Sequence, residues 1–201
     1  MIAMPYEQYL SAGMHIGMKQ QTKDMERFVY KLRDDGLAVL DLKTIEKRIK
    51  LAAQFLARFE RIMVVSRKFV GWKPAIKFAE VVGAKEMTGR FLPGTITNPA
   101  FPGYYEPDVL LVTDPLIDSQ AVKEAAKMRI PIVALSDTSN ETQSIDFVIP
   151  VNNKGRKSIA MVYYLLAMEI EKNRGKIKED EEFAHKPEDF ETEERRRRQE
   201  E

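Results

Sequence analysis

The sequence predicts an α/β fold built on a mainly parallel sheet, and three observations carry that reading. Within residues 107–138 a short apolar run, Val109-Leu-Leu-Val112, precedes an amphipathic segment and a second apolar run, Ile132-Val-Ala-Leu135. A strand, a helix and a strand in about thirty residues make a βαβ unit, whose strands must be parallel. Both runs end in an acid, Asp114 and Asp137, which places them at the carboxyl edge where open α/β sheets carry their sites. Further short stretches read as strands at 62–65, 84–88 and 147–149 alternate with helical patterns along the rest of the chain.

Taken in order, residues 5–10 begin a short helix that breaks at Ala12-Gly13-Met14-His15-Ile16-Gly17, a tight loop around His15. Residues 18–33 are dense in cations, among them Lys19 and Arg27, with Phe28 and Tyr30 interleaved. Residues 37–42 read as the first strand, and Thr44 is expected to cap a long helix striped by Ile45, Ile49, Ala52, Leu56 and Phe59. After the strand at 62–65, Pro74 suits the first turn of a helix reaching residue 82, followed by the strand at 84–88. Residues 89–106 form one long irregular segment, rich in proline, glycine and aromatics, of a length that points to an ordered, functional loop. In the βαβ helix, Asp118 is expected to cap, Ala121, Val122, Ala125 and Ala126 to share the inner face, and Lys123, Glu124 and Lys127 to lie opposite. Residues 155–173 make a last helix with Ile159, Val162, Tyr163, Leu166 and Ile170 inward, ended by Gly175.

Residues 1–176 are thus expected to form one α/β domain, with residues 1–36 as an N-terminal extension of loop and helix. Residues 177–201 are expected to be a charged tail, disordered or ordered only by a partner, because apolar residues nearly vanish there. On that reading a chain ending at Lys176 keeps the thermal midpoint of the whole.

The 201-residue chain carries a formal net charge of only +1, but the charge is segregated. Of its 32 bases and 31 acids, residues 179–201 hold five and eleven, leaving 27 bases against 20 acids in residues 1–178. A basic body with an acidic tail points toward an anionic partner for the body. There is no cysteine, so disulfides, thiolate nucleophiles and cysteine metal sites are excluded. Apolar runs fall short of a bilayer span, and the N-terminus lacks the pattern of a secretory signal, so a soluble, cytoplasmic protein is expected.

Catalytic chemistry is thinly supplied. His15 is the one histidine of the domain and reads as structural. Asp114 and Asp137 could form a carboxylate pair or magnesium site, or serve as turn and helix caps. The first βα junction, Leu42-Lys43-Thr44, has no glycine-rich phosphate cradle, and no P-loop occurs. No catalytic, cofactor-binding or metal residue is assigned.

Binding chemistry is richer. Lys154, Arg156 and Lys157 open the last helix, where cations oppose the helix dipole unless an anion sits beside them. Arg67 and Lys68 follow the strand at 62–65, next to Phe69 and Trp72, and Arg90 opens the long loop. These six, with Lys19 and Arg27, are the residues expected to contact the phosphates of a nucleic acid.

At this point the residues resemble a known family. Pro107-Asp-Val-Leu-Leu-Val-Thr-Asp114, followed by Asp118, Val122, Glu124 and Arg129-Ile-Pro131, resembles a signature of the small-subunit ribosomal protein two family, whose eukaryotic members are also called laminin-receptor-like proteins. Leu10-Ser-Ala-Gly-Met-His-Ile-Gly17 resembles its N-terminal signature. Gly89-Arg-Phe-Leu-Pro-Gly-Thr-Ile-Thr-Asn-Pro99 resembles the archaeal and eukaryotic form of its central loop. The resemblance implies a three-layer flavodoxin-like fold and a structural, non-enzymatic place in the small ribosomal subunit of the cytoplasm. Its partners would be small-subunit ribosomal RNA and neighbouring ribosomal proteins, with no membrane, cofactor or small-molecule substrate. The chain looks archaeal rather than bacterial, since it has no helical hairpin ahead of Val109. The alternatives are a metal-dependent phosphoester enzyme using Asp114 and Asp137, and a protein-interaction scaffold that binds no RNA.

Overall fold

In the computed structural model, which describes residues 6–177 and 183–193, the chain opens with helix α1 (Tyr6–Ala12), a single turn α2 (Lys23–Glu26) and an antiparallel ribbon of β1 (Val29–Leu32) and β2 (Ala38–Leu40). There follow α3 (Leu42–Leu56), β3 (Ile62–Ser66), α4 (Trp72–Val82), β4 (Lys85–Thr88), β5 (Val109–Val112), α5 (Ser119–Lys127), β6 (Ile132–Ser136), β7 (Phe147–Pro150) and α6 (Arg156–Asn173). The strands from β3 onward form one parallel sheet in the order β4-β3-β5-β6-β7. Counted from β3 as the first strand, this is the 2-1-3-4-5 winding of flavodoxin-like folds.

Alternate residues of each strand face opposite layers. On one face Ile62, Val64, Leu111, Val133 and Leu135 pack under α3, α4 and α6, meeting Ile49, Phe78 and Tyr163. On the other, Met63, Val65, Leu110, Val112, Ile132 and Ala134 meet α5 through Ala121, Val122 and Ala125, and the long loop through Phe91 and Ile96. Because both faces are covered, the central strands read as unbroken apolar runs rather than alternating ones.

That long loop stands where a crossover helix would otherwise cover the sheet between β4 and β5. It is held by Glu124, which is buried, not exposed with Lys123 and Lys127 as expected. Its carboxylate accepts from Gly94 N at 3.0 Å, Thr97 Oγ1 at 3.2 Å and Gln120 Nε2 at 2.8 Å. Burial pushes its pKa up, but these hydrogen bonds outweigh that and hold the carboxyl below its ordinary value. Positions 121, 124 and 125 share a stripe at helical spacing, which allows the placement, but the loop that packs over Glu124 comes from elsewhere in the chain.

Other local expectations are also corrected. Residues 37–42 do not join the main sheet; β2 pairs with β1 and, by one bridge, with Ile16. The basic run at 18–33 holds α2 followed by β1, so the N-terminal extension contains a strand as well as loop and helix. Asp41, not Thr44, caps α3, accepting from Lys43 N and Thr44 N at 3.2 Å each. Asp118 occupies the cap position of α5, yet its side chain makes no capping bond.

The tail expectation is corrected over residues 183–193. Phe190 is fully buried, and its ring lies 5.9 Å from that of Tyr164 on α6, which also meets Phe183 at 5.4 Å. Thr192 Oγ1 donates to Val70 O at 2.8 Å. Average composition hides this: two phenylalanines among many charges anchor a strap where no amphipathic stripe exists. Residues 178–182 and 194–201 lie outside the described residues. A chain ending at Lys176 is therefore expected to melt several degrees below the whole, since burying one phenylalanine is worth about 2 kcal/mol and each kcal/mol moves the midpoint of a domain this size by about 2–4 °C. Calorimetry of the two chains checks this, and coincident midpoints would show that the strap adds no stability.

Candidate nucleic-acid interface

A parallel sheet brings all its carboxyl ends to one edge, and here that edge is tied together by the loop after β6. Asn140 is its centre. Its Nδ2 donates to Asp114 Oδ1 beyond β5 at 3.0 Å, while its Oδ1 accepts from Asp137 N beyond β6 at 2.8 Å and from Asn153 Nδ2 beyond β7 at 3.0 Å. Thr138 binds the N-terminal segment from the same loop: its Oγ1 accepts from Met18 N at 2.8 Å and its carbonyl from Thr22 N at 3.0 Å. Gly17 lies so close that a Cβ there would stand 2.6 Å from Thr138 Cγ2 and 3.1 Å from the Ala38 carbonyl. That contact gives the glycine of the N-terminal motif its physical reason.

Three buried acids line the edge, each about 2 % exposed or less. Asp114 accepts Lys68 Nζ at 2.5 Å and the Leu116 N–H at 3.1 Å. Asp137 accepts the Thr138 N–H at 2.7 Å and faces Lys154 Nζ at 3.5 Å. Burial raises its pKa, and Thr138 and Lys154 partly offset the rise. Asp118 accepts the Arg67 N–H on Oδ1 at 2.9 Å, while its Oδ2 has no partner among the described residues. Burial, with the charge of Asp114 adding to it, pushes Asp118 up to about 6.

The crevice between β3 and β5, where the strand order reverses and doubly wound folds take their ligands, is filled by the chain itself. A Cβ on Gly71 would collide with Ser66 Oγ, and Lys68 closes over Asp114. Asp114 and Asp137 are thus held in separate, satisfied ion pairs. Among the described residues no group of three or more acids or histidines is disposed to hold a metal ion.

The expected cations divide by what they meet. Arg67, Lys68, Arg90, Lys154, Arg156 and Lys157 all follow the carboxyl ends of β3, β4 or β7, and so share this edge. Lys19 joins them, since the segment around it is fastened to Thr138. Arg27 lies apart: it rests 4.7 Å over the Phe28 ring, beside Arg48, which also covers Phe147 at the opposite end of β7. Lys68 and Lys154 are turned inward to acids, and Arg156 lies 3.9 Å from Glu191. Arg67, Arg90, Lys157 and Lys19 are exposed, and their side chains meet no acid among the described residues. The start of α6 needs no anion to balance Lys154, because Asn152 Oδ1 already accepts from Lys154 N and Gly155 N. His15 is half-buried beside Tyr30 and Arg33, and burial, then the Arg33 charge, lowers its pKa. Sequence reasoning missed Asn140 and Thr138, whose turn-like Asp-Thr-Ser-Asn stretch carries no sign of the partners it meets from residues 18–22, 114 and 153.

A family model described as Ribosomal protein S2 matches residues 104–173. Over 192 residues, 94 % of this chain and 87 % of the relative, the sequence is 52 % identical to a Staphylothermus marinus protein named small ribosomal subunit protein uS2. Proteins of the same name from Picrophilus torridus and Ignicoccus hospitalis are 47 % and 53 % identical, over 94 % and 89 % of this chain and 96 % and 86 % of theirs.

The buried Asp118 yields a test. Its folded pKa stands above the ordinary 3.8 at about 6, so the folded state holds this proton more tightly than the unfolded chain. Stability therefore falls as pH rises through that window, by about 3 kcal/mol at most once both states are ionised. Asp118→Asn keeps an acceptor for the Arg67 N–H and removes the charge. It is expected to melt higher than the parent at neutral pH, with the gap closing below the window. Parallel pH–stability curves would show Asp118 to be unperturbed.

Proposed function

The chain belongs to the ribosomal protein S2 family, and from that membership we propose that it is a structural constituent of the small ribosomal subunit that rests on ribosomal RNA through the carboxyl edge of its sheet. The gathering at that edge of Arg67, Arg90, Lys157 and Lys19, exposed and without acidic partners among the described residues, carries this reading. Such cations bind phosphate without reading bases, which suits a protein that must hold a folded RNA in place. Lys68 and Lys154 then serve as internal counter-charges for Asp114 and Asp137, and stiffen the loops that carry the outward cations. Neighbouring ribosomal proteins in the cytoplasmic ribosome are its other partners. No helix among the described residues is long and apolar enough to cross a membrane. The enzymatic alternative finds no support in Asp114 and Asp137, whose oxygens are taken by lysines and N–H groups.

Arg67→Ala, Arg90→Ala and Lys157→Ala together are expected to weaken binding to small-subunit ribosomal RNA and to flatten its logarithmic salt dependence by about two, the melting midpoint staying put. Lys47→Ala on the outer helix is the control and should change neither. Filter binding across a salt series reads both quantities, and an unaltered slope in the triple variant would remove this edge as the interface. Lys68→Ala is expected to act differently: it leaves Asp114 buried without its cation, and costs about 3 kcal/mol of folding stability. Chemical denaturation measures that loss, and a cost below about 1 kcal/mol would show the pair to be incidental.

A further inference from the structure

The basic run at 18–33 interleaves cations with two rings, and the carboxyl edge uses only its Lys19. Phe28 is buried, but Tyr30 is 72 % exposed, too far out to serve the core. Its strand is nevertheless firmly held. β1 pairs with β2, and β2 is fastened on its other side to the loop around His15, Leu40 N donating to His15 O and Gly17 N to Ala38 O at 2.8 Å each. Beside Tyr30 lies a groove of about 820 Å³, walled by Tyr6 and Leu10 of α1, by His15, by Tyr30 and Lys31 of β1, and by Lys43 of α3. Its charge is one-sided. Asp41 also lines it, but that carboxylate is taken in capping α3, where Lys43 N, Thr44 N and the Thr44 hydroxyl donate to it, the last at 2.6 Å. Lys31 and Lys43 are exposed, and their side chains meet no acid among the described residues.

We propose that this groove takes an unpaired stretch of RNA, with one base stacked on Tyr30 and the phosphates beside it meeting Lys31 and Lys43. This inference rests on the RNA-binding reading above and adds to it a contact with bases, made by the N-terminal ribbon rather than by the carboxyl ends of the main sheet. Rings set among cations are what a single strand requires, since every base offers a π-face and every phosphate a charge. A paired helix is the wrong ligand, because its bases stack on one another and its major groove is too deep and narrow for side chains to read. A small molecule fits poorly as well. Sites for such molecules bury most of the ligand, whereas here the ring and both lysines stand in solvent. A protein segment is the remaining occupant, and the test separates it.

The experiment uses the full chain with three probes: a short oligouridylate, a fully paired RNA duplex and in vitro transcribed small-subunit ribosomal RNA. Filter binding across a salt series reads each affinity. Tyr30→Ala should weaken oligouridylate binding about fivefold or more with its salt slope unchanged, because stacking releases no counterions. Tyr30→Phe keeps the ring and should bind as the parent does. Lys31→Ala with Lys43→Ala should instead flatten the oligouridylate slope by about one and a half. Melting midpoints should hold in all of these, since the three side chains are exposed. Unchanged oligouridylate affinity in Tyr30→Ala would overturn the proposal and leave the groove to a protein segment. Equal losses on duplex and single strand would overturn it too, because the ring would then meet no unpaired base. The two readings fail separately. Weaker ribosomal RNA binding in the triple variant of Arg67, Arg90 and Lys157, beside an unaffected Tyr30→Ala, keeps the edge and removes the groove. A parent chain that binds none of the three RNAs removes both.

Discussion

One side-chain amide ties the ends of three strands together. Asn140 donates to an acid beyond β5 and accepts from groups beyond β6 and β7, so it spans the strand ends where the sheet's own ladder has stopped. An amide suits the position because it is donor and acceptor at once without carrying charge. Aspartate there would face Asp114 with a like charge, and alanine would leave buried polar groups with no partner, at a cost of about 1–3 kcal/mol each. The loop it steadies also fastens the N-terminal segment through Thr138, and Asp137 on that loop faces Lys154. Much of the edge geometry follows from that one residue.

The edge is layered by charge. Acids lie inside, where burial makes an unpaired carboxylate expensive, and cations lie outside. Lys68 and Lys154 bridge the two layers. Asp118, whose Oδ2 meets no partner among the described residues, shows what incomplete pairing does: burial pushes its pKa up to about 6. An outer rim of exposed arginine and lysine thus lies over an inner layer in which Asp114 and Asp137 are paired and Asp118 is not.

Two irregular segments complete the body by burying a few side chains in place of whole helical faces. The loop at 89–106 covers the sheet with Phe91 and Ile96 and is clamped by Glu124. The strap at 183–193 covers α6 with Phe190 and is stitched to Val70 by Thr192. In both, the anchor contacts residues far away in the chain, so no local pattern announces it. The strap misled a reading based on composition because its apolar residues are too few to register as a stripe, yet two rings in the right place are enough.

By itself the sequence determined that the sheet is parallel, the helices α3, α4, α5 and α6 that cover it, and the family, whose resemblance implied the flavodoxin-like fold. It could do so because apolar runs, helical stripes and βαβ handedness are local or nearly local, and each strand buried on both faces announces itself. Only the tertiary structure decided which of the candidate cations are turned inward. Lys68 and Arg67 are neighbours in sequence, but one closes on an acid 46 residues away and the other projects into solvent. Tertiary packing also decided that Glu124 is buried, that the ribbon at 29–40 stands outside the main sheet, and that part of the charged tail belongs to the body. The reason is physical: the burial of a charge is set by what packs over it from elsewhere in the chain, and periodicity along one element carries no record of that partner.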